Sequence, residues 1–244
     1  MRPMRAVAVI PARVGSKRLP GKVLASLRGE PLVLHVWRRL QASETVDAVY
    51  VATDDDAVAE IVHAAGGRVL RTTGAHRCGT DRVAEAIRLV EADIVVNVQA
   101  DCANLDVAVV DQIVTLLRNG EHAVVTPVAT LSDAASASSA DCVKAVVDSV
   151  GRGIYFSRSQ VPHGGPWLRH VGVYGFHRSA LEAFSELEPS PLELSEDLEQ
   201  LRLIENGLTI QTILTNNPGT SVDTASDLRR LQTLHSSPVR GPHA

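Results

Sequence analysis

Residues 6–22 of the chain read Ala6-Val7-Ala8-Val9-Ile10-Pro11-Ala12-Arg13-Val14-Gly15-Ser16-Lys17-Arg18-Leu19-Pro20-Gly21-Lys22. The apolar start predicts a buried first strand over residues 6–10. Four cations then fall within ten residues, among glycines and prolines. Open α/β sheets bind ligands just beyond the C-terminal ends of their parallel strands. The stretch therefore predicts an anion site, with backbone N–H groups turned toward the ligand at Gly15 and Ser16. The plain alternative is a solvated basic loop.

Composition limits the classes of protein to consider. The chain has 244 residues, of which 45% are hydrophobic and 21% charged, as expected for a globular protein with a real core. A net charge of −4 argues against a nucleic-acid partner. No apolar run is long enough for a membrane span, and residues 1–5 lack the apolar core of a signal peptide, so a cytoplasmic protein without a membrane partner is expected.

Cysteine and lysine usage add two details. Cys78, Cys102 and Cys142 are odd in number and widely spaced, which suits neither a disulfide framework nor a zinc knuckle. Only three of the 24 basic residues are lysines, at positions 17, 22 and 144. Lysine is a mobile point charge suited to a phosphate that moves during reaction, whereas arginine is a rigid fork. Two lysines in the opening loop therefore favour a phosphate ligand there.

Strand-like and helix-like segments alternate through the first half of the chain. This rhythm predicts an α/β fold with a parallel sheet built from right-handed crossovers. The predicted strands there are 6–10, 48–52, 68–71 and 93–98, and the predicted helices are 31–40, 57–65, 81–91 and 107–118.

From residue 121 the rhythm changes. Strands at 122–130, 142–147, 154–157 and 171–176 follow with few helices between them, which predicts a mixed or antiparallel extension. Helices at 181–187, 193–206 and 224–234 and a strand at 208–214 complete the chain, with Gly207 as a C-cap and Asp223 or Thr224 as an N-cap. We expect one domain over 1–236 and a disordered Ser/Pro/Gly-rich tail over 237–244.

A series of short blocks carries a family resemblance. The opening loop resembles the Pro-Ala-Arg-x-x-Ser-x-Arg-Leu-Pro-Gly-Lys pattern of sugar-acid cytidylyltransferases. Further blocks follow in the same order: residues 52–54, 79–82, 97–101, 143–144, 155–158, 169–175, 189–193, 198–202 and 218–224. Over about residues 5–234 the chain is similar to the CMP-Kdo synthetases (3-deoxy-manno-octulosonate cytidylyltransferases), and the block Leu198-Glu199-Gln200-Leu201-Arg202 disfavours a sialic-acid-type or UTP-using relative.

The resemblance implies a Rossmann-like, GT-A-like nucleotidyltransferase fold with a mostly parallel central sheet and a smaller mixed or antiparallel extension. It divides the domain into a CTP-binding half (5–120) and an acceptor-binding, dimerisation half (121–234), and it implies a homodimer. The implied reaction is attack of an acidic acceptor on the α-phosphate of CTP, with transfer of CMP and release of pyrophosphate. Positioning and charge neutralisation should dominate catalysis, because one anion attacks another.

The resemblance also assigns residues to roles. Asp101 and Asp223 would hold Mg²⁺, although each could simply be a helix N-cap. The implied catalytic residues are Arg13, Arg18, Lys22, Asp101 and Asp223. The implied nucleotide-binding residues are Pro11, Ala12, Arg13, Ser16, Lys17, Arg18, Lys22, Arg71, His76, Cys78, Gly79 and Gln99.

The implied acceptor-binding residues are Gln99, Arg158, His170, Tyr174, Glu199 and Gln200. Arg158 and His170 would meet an anion, and the glutamines and Glu199 would meet hydroxyls. Simpler interpretations stay open for three of the candidates: Tyr174 as core, Glu199 as the partner of Arg202 on a helix surface, and His76 as a plain loop residue. Lys144 would form a wall of the site on its dimer side or neutralise charge.

Two departures from the family pattern bear on the acceptor. The usual Gln-Gly-Asp-Glu-Pro block is here Gln99-Ala100-Asp101-Cys102-Ala103. The stretch between Pro162 and Arg169 is a short loop with an apolar Trp167, which predicts a stiff lid over a small acceptor. We therefore expect a compact anion such as phosphonoformate. The alternatives are a genuine CMP-Kdo synthetase and a non-catalytic CTP- or CMP-binding protein.

Overall fold

The computed structural model describes residues 3–15, 19–73, 75–222 and 224–234. Its elements in chain order are β1 (Ala6–Pro11), β2 (Ser26–Leu27), β3 (Glu30–Pro31), α1 (Leu32–Leu40), β4 (Ala48–Thr53), α2 (Asp56–Ala64), β5 (Arg68–Arg71), α3 (Gly79–Ala86), β6 (Ile94–Val98), α4 (Val107–Arg118), β7 (Val124–Leu131), α5 (Ala134–Ser138), β8 (Lys144–Val147), β9 (Gly153–Ser157), β10 (Trp167–His170), β11 (Val173–His177), α6 (Arg178–Glu186), α7 (Pro191–Glu196), α8 (Gln200–Glu205), β12 (Gln211–Leu214) and α9 (Ala225–Leu234). Short 3₁₀ turns cover Lys22–Leu24 and Ile87–Leu89.

One large sheet organises these elements in the order β5-β4-β1-β6-β11-β7-β10-β8-β9, with β12 beside β7. The strands β5, β4, β1 and β6 are mutually parallel, and β11 joins β6 in the antiparallel sense. The remaining pairs are antiparallel, except that β12 lies parallel to β7. The sheet confirms the predicted α/β fold, with a parallel part continued by a mixed extension.

Alternation along β1 explains why both faces of the sheet are covered. Ala6, Ala8 and Ile10 pack into one apolar cluster with α1, α2 and α4, whereas Val7 and Val9 pack into a second with α3 and α6. Successive strand residues point to opposite faces, so a strand that is apolar throughout must be buried on both. The carboxyl ends of β1 and β6 therefore emerge side by side at one edge of a three-layer structure.

A close approach at Gly175 fixes α4 against the sheet. A Cβ built there would lie 2.1 Å from Cγ2 of Ile113 and 2.7 Å from Cδ1 of Leu117, both on α4. Any side chain at this position of β11 would push the helix away. The glycine therefore sets the spacing between β11 and the helix that follows the Asp101 turn.

The predicted helix over 193–206 is wrong as a single element. It is two short helices, α7 and α8, because Asp197 adopts a left-handed conformation (φ 54°) that ends α7. The strand β10 and the helix α5 were not predicted, since elements of four or five residues carry almost no periodicity. Gly207 does close α8 with a positive φ, and Thr224 caps α9 by accepting from the N–H of Asp227 (3.2 Å).

Three further points concern the chain as a whole. No helix in the described part is long and apolar enough to cross a membrane. The predicted tail over 237–244 lies outside the described residues. The three cysteines, all described, are free thiols.

Candidate active site

Two adjoining cavities open at the edge of the sheet where β1 and β6 end. Their volumes are about 700 Å³ and about 600 Å³. Gln99, Asp101 and Arg158 line both cavities and form the junction between them. We call the larger one the acceptor-side cavity and the smaller one the nucleotide-side cavity, after the predicted residues that line each.

Most described residues that the sequence assigned to the nucleotide do line the nucleotide-side cavity. They are Pro11, Arg13, Lys22, His76, Cys78, Gly79 and Gln99. Ala12 is buried, and its N–H donates to the carbonyl oxygen of Ala52 (2.9 Å). Ser16, Lys17 and Arg18 lie outside the described residues.

Arg71 is a predicted nucleotide-site residue that the structure does not bring to the two cavities. Its guanidinium donates to the carbonyl oxygens of Asp55 (3.0 Å) and Asp54 (3.3 Å) and to the carboxylate of Asp56 (2.6 Å). It lines neither cavity. The acidic start of α2 holds this exposed arginine away from the cleft.

Two arginines that the sequence did not select line the nucleotide-side cavity. Arg82 is buried and donates to Oδ1 of Asp54 (2.8 Å) and Oγ1 of Thr72 (2.5 Å). Arg77 is anchored by the carboxylate of Asp81 (3.2 Å). Arg82 could have been found from the sequence, because it belongs to the same family-like block at 79–82 as Gly79, which was assigned to nucleotide binding.

Asp101 is the acidic residue at the junction. Its carboxylate is ion-paired with the ammonium group of Lys22, and both side chains are largely shielded from solvent. The N–H of Val222 donates to the carbonyl oxygen of Asp101 (3.0 Å). Asp223, the second predicted metal ligand, lies outside the described residues.

A magnesium ion fits the chemistry at Asp101. The carboxylate is already satisfied by one cation, Lys22, and Mg²⁺ at nucleotide sites is usually held by one or two carboxylates together with phosphate oxygens. Within the described ranges, no group of three or more His, Cys, Asp or Glu side chains is placed to hold a metal ion. The described residues thus supply a site that would need the nucleotide to complete it.

Arg158 forms the wall between the cavities, and its guanidinium is held by backbone. It donates to the carbonyl oxygens of Glu196 (3.0 Å), Ala140 (3.1 Å) and Asp197 (3.2 Å). The backbone N–H of Arg158 donates to the carboxylate of Glu196 (2.8 Å). The guanidinium has five N–H donors, so it keeps donors for a ligand while its position is fixed.

Lys144 is fully buried and stabilises the same wall. Its ammonium donates to three carbonyl oxygens, those of Ser139 (2.7 Å), Cys142 (2.5 Å) and Arg158 (2.5 Å). Burial lowers its pKa. Ser139 and Cys142 line the acceptor-side cavity, so Lys144 acts on the site through backbone.

His170 lines the acceptor-side cavity, where it was predicted to meet an anion, and its surroundings favour the neutral ring. Its Nε2 is 2.9 Å from Oγ1 of Thr126, and its ring is enclosed by the rings of Phe156 and Tyr174. Burial, followed by the charge of Arg169, lowers its pKa to about 3. A neutral imidazole offers no charge to an anion. Arg169, which lines the same cavity beside it, is the cation that the sequence overlooked.

Tyr174, Glu199 and Gln200 line neither cavity, so their acceptor role stays a prediction. Tyr174 on β11 is buried and belongs to the core, as its simpler interpretation held, and Gln200 at the start of α8 is buried too. Glu199 accepts a hydrogen bond from Oγ1 of Thr80 (2.6 Å).

The suggested surface pair between Glu199 and Arg202 is also wrong. Arg202 is fully buried, forms two hydrogen bonds with the carboxylate of Glu193, and reaches Asp81 at 3.2 Å. Its guanidinium carbon lies 4.3 Å from the centroid of the Phe184 ring. Arg202 therefore ties α8 to α7 and α3.

The loop at 163–168 does not form a lid over either cavity. Trp167 begins β10, where it pairs with Leu131, and its Nε1 donates to the carbonyl oxygen of Pro162 (2.8 Å). No residue of 163–168 lines the two cavities. The prediction of a small acceptor assumed that Trp167 covers the cavity as a lid. That assumption is wrong, because the indole packs back on its own loop.

Comparisons with known proteins agree on the class of enzyme. The sequence profile of the cytidylyltransferase family matches residues 7–210, and the chain belongs to this family. A 3-deoxy-manno-octulosonate cytidylyltransferase of Chlorobium phaeobacteroides is 40% identical over 97% of this chain and 100% of its own length. One from Escherichia coli is 41% identical, covering 94% of this chain and 96% of its own.

A solved structure is similar over nearly its whole length. It is described as CMP:2-keto-3-deoxy-manno-octonic acid synthetase complexed with CTP, and it superposes with a TM-score of 0.90 at 38% identity, covering 94% of this chain and 98% of that one. The chain is thus an enzyme, a nucleotidyltransferase of the cytidylyltransferase class.

Proposed function

We propose that the protein transfers CMP from CTP to 3-deoxy-manno-octulosonate and releases pyrophosphate. The observation that carries the proposal is the junction of Gln99, Asp101 and Arg158 between two cavities, one lined by the opening loop and one by arginines of the second half. A cleft of two compartments that meet at a carboxylate suits the joining of a nucleotide to an acid.

The eight-carbon sugar acid is preferred to phosphonoformate on two grounds. Full-length relatives at about 40% identity act on 3-deoxy-manno-octulosonate by name. The acceptor-side cavity of about 700 Å³ has room for more than a one-carbon acid, and the small-acceptor argument from Trp167 does not hold.

The nucleotide would bind with its phosphates toward the opening loop. Arg13 and Lys22 line that side of the cleft, and Arg82 lies behind them, held by Asp54. Lys22 would leave Asp101 for a phosphate oxygen, since an ammonium on a flexible stem moves between anions at low cost. Lys22 would then neutralise charge on the leaving pyrophosphate.

The acceptor would bind with its carboxylate toward Arg158 and Arg169. Both guanidinium groups are fixed by backbone carbonyls, Arg169 by that of Gly219 (3.1 Å), so their direction is set before a ligand arrives. Holding the attacking hydroxyl near the α-phosphate is the main contribution such a site makes to the rate.

Asp101, with Asp223, would hold Mg²⁺. When bound, the ion would polarise the α-phosphate and neutralise its charge. The support is the position of Asp101 at the junction and its present pairing with a cation.

A homodimer is part of the proposal. Three exposed apolar side chains, Ile154 on β9 and Leu192 and Leu194 on α7, lie on elements linked by the hydrogen bond from Tyr155 to Glu196 (3.2 Å). A second copy packed there would cover them. Light scattering should give twice the mass of the 26.1 kDa chain, and a monomer would refute this part alone.

Pyrophosphate release tests the reaction. Wild-type protein with CTP, Mg²⁺ and 3-deoxy-manno-octulosonate should release one pyrophosphate per acceptor consumed, and UTP should be a poor replacement for CTP. Release that does not depend on the acceptor, or no release at all, would refute the proposed function.

A further inference from the structure

A chain of hydrogen bonds leads from the partly buried Glu199 to Gln99 at the junction of the cleft. Oγ1 of Thr80 donates to Oε1 of Glu199 (2.6 Å). Nδ2 of Asn97 donates to Oγ1 of Thr80 (2.8 Å), and Nε2 of Gln99 donates to Oδ1 of Asn97 (3.2 Å). Thr80 and Asn97 are buried, Glu199 is partly buried, and Gln99 is the member of this series that lines the cleft.

The Glu199 carboxylate, at one end of this series of hydrogen bonds, sets the direction of every bond in the series. The carboxylate of Glu199 accepts a hydrogen bond from the hydroxyl of Thr80. The hydroxyl has only one hydrogen to donate, so its oxygen can only accept from the next residue. It accepts from the Asn97 amide nitrogen, which turns the Asn97 carbonyl oxygen toward Gln99. Gln99 must then present its Nε2 inward. Its carbonyl oxygen, Oε1, is the atom that remains for the cleft.

Other contacts keep this arrangement in place. The N–H of Thr80 also donates to the Glu199 carboxylate (3.4 Å). A Cβ at Gly79 would lie 2.9 Å from both terminal atoms of Gln99, so only glycine leaves room for the amide. Within the described residues, Oε1 of Gln99 has no hydrogen-bond partner of its own.

We propose that Thr80, through Asn97 and backed by Glu199, is a positioning residue that holds the Gln99 amide with its carbonyl oxygen toward the acceptor. Gln99 then accepts a hydrogen bond from a hydroxyl of the acceptor. The same oxygen repels carboxylate and phosphate groups, so it helps to direct the acceptor's anionic end to Arg158 and Arg169. If Thr80 does not hold the amide, the Gln99 amide can flip and present its N–H group to the cleft. The preference for a hydroxyl over an anion at this position is then lost.

The test compares Thr80→Val with Thr80→Ser. Valine keeps the shape but removes both the donor and the acceptor, whereas serine keeps the hydroxyl. Assays use CTP, Mg²⁺ and 3-deoxy-manno-octulosonate, so the choice of acceptor rests on the proposed function. Turnover of this acceptor by the wild-type protein tests the proposed function separately. If the wild type turns over another acid instead, the same variants are compared with that acid as the acceptor.

We expect Thr80→Val to raise KM for the acceptor at least about fivefold and to leave KM for CTP within about twofold. Thr80→Ser should match wild type in both. An unchanged acceptor KM in the valine variant, an equal rise in KM for CTP, or an equal loss in the serine variant would overturn the proposal. If Thr80→Val does not fold, Asn97→Leu removes the next link and carries the same expectations.

Discussion

The ammonium group of Lys22 and the carboxylate of Asp101 form an ion pair at the junction of the two cavities, 79 residues apart in sequence. Lys22 follows the opening loop, and Asp101 follows the fourth strand of the parallel part of the sheet. Asp101 thus stands just beyond a strand end and Lys22 closes the loop that leaves another, at the edge where an α/β sheet collects ligand-binding groups. The pair joins the predicted phosphate site to the predicted metal site.

Removing the Asp101 charge should abolish most of the activity. We expect Asp101→Asn to lower kcat about 100-fold or more, because the proposed ligand for Mg²⁺ and the partner of Lys22 are lost together. Asp106→Asn is the matched control, since Asp106 caps α4 by accepting from Ala108 (3.1 Å) and asparagine caps as well. Steady-state rates at saturating CTP and acceptor measure the difference. Equal rates for both variants would show that Asp101 is not part of the machinery.

Loss of the Lys144 charge should act on the acceptor through the wall that carries Arg158. Lys144→Met leaves three carbonyl oxygens around a buried side chain without their donor, and we expect the free energy of unfolding to fall by about 2–3 kcal/mol. KM for the acceptor should rise more than KM for CTP, because Ser139 and Cys142 line only the acceptor side. Urea titration and initial rates give the two quantities.

Arg152→Met is the control for this prediction. It removes a cation from the turn between β8 and β9, where the Arg152 pair with Asp148 is exposed and lines neither cavity. Its stability should change by less than about 1 kcal/mol. Similar effects of the two variants would argue that Lys144 contributes only net charge.

Acid should destabilise the protein partly through His170. Its folded-state pKa is about 3, against an ordinary value of 6.5, so the unfolded chain binds more protons between these values. Stability contributed by the neutral ring is present above pH 6.5 and is lost as pH falls toward 3. His170→Gln should reduce the slope of unfolding free energy against pH in this window by up to about 1.4 kcal/mol per pH unit. Denaturant titrations at several pH values measure it, with the exposed His63→Gln as control; identical slopes in wild type and His170→Gln would contradict the prediction.

The parallel half of the fold was predictable because each strand is short, apolar and bounded by polar loops. The opening loop and the Asp101 turn were predictable for the same reason, since both stand directly after such strands. The buried ion pairs of Arg202 were not predictable from the sequence. Arg202 meets Asp81, a residue 121 positions away, and Glu193 on a neighbouring helix, and no local pattern distinguishes a buried arginine from a surface one.

The acceptor side resisted prediction for a related reason. The sequence predicted that His170 and Arg158 meet an anion, but the rings of Phe156 and Tyr174 that pack against His170 come from two other strands. Trp167 suggested a lid, but the carbonyl oxygen of Pro162 takes its indole N–H and turns it away from the cleft. Such outcomes depend on tertiary contacts that sequence spacing does not contain.

The most direct test of the central claim is competition between the two acids. Wild-type protein would receive CTP and Mg²⁺ with equal concentrations of 3-deoxy-manno-octulosonate and phosphonoformate, and mass spectrometry would give the ratio of the two CMP products. That ratio equals the ratio of the kcat/KM values. Our account predicts that the CMP ester of 3-deoxy-manno-octulosonate forms in at least about 100-fold excess. An excess of the phosphonoformate product would contradict it.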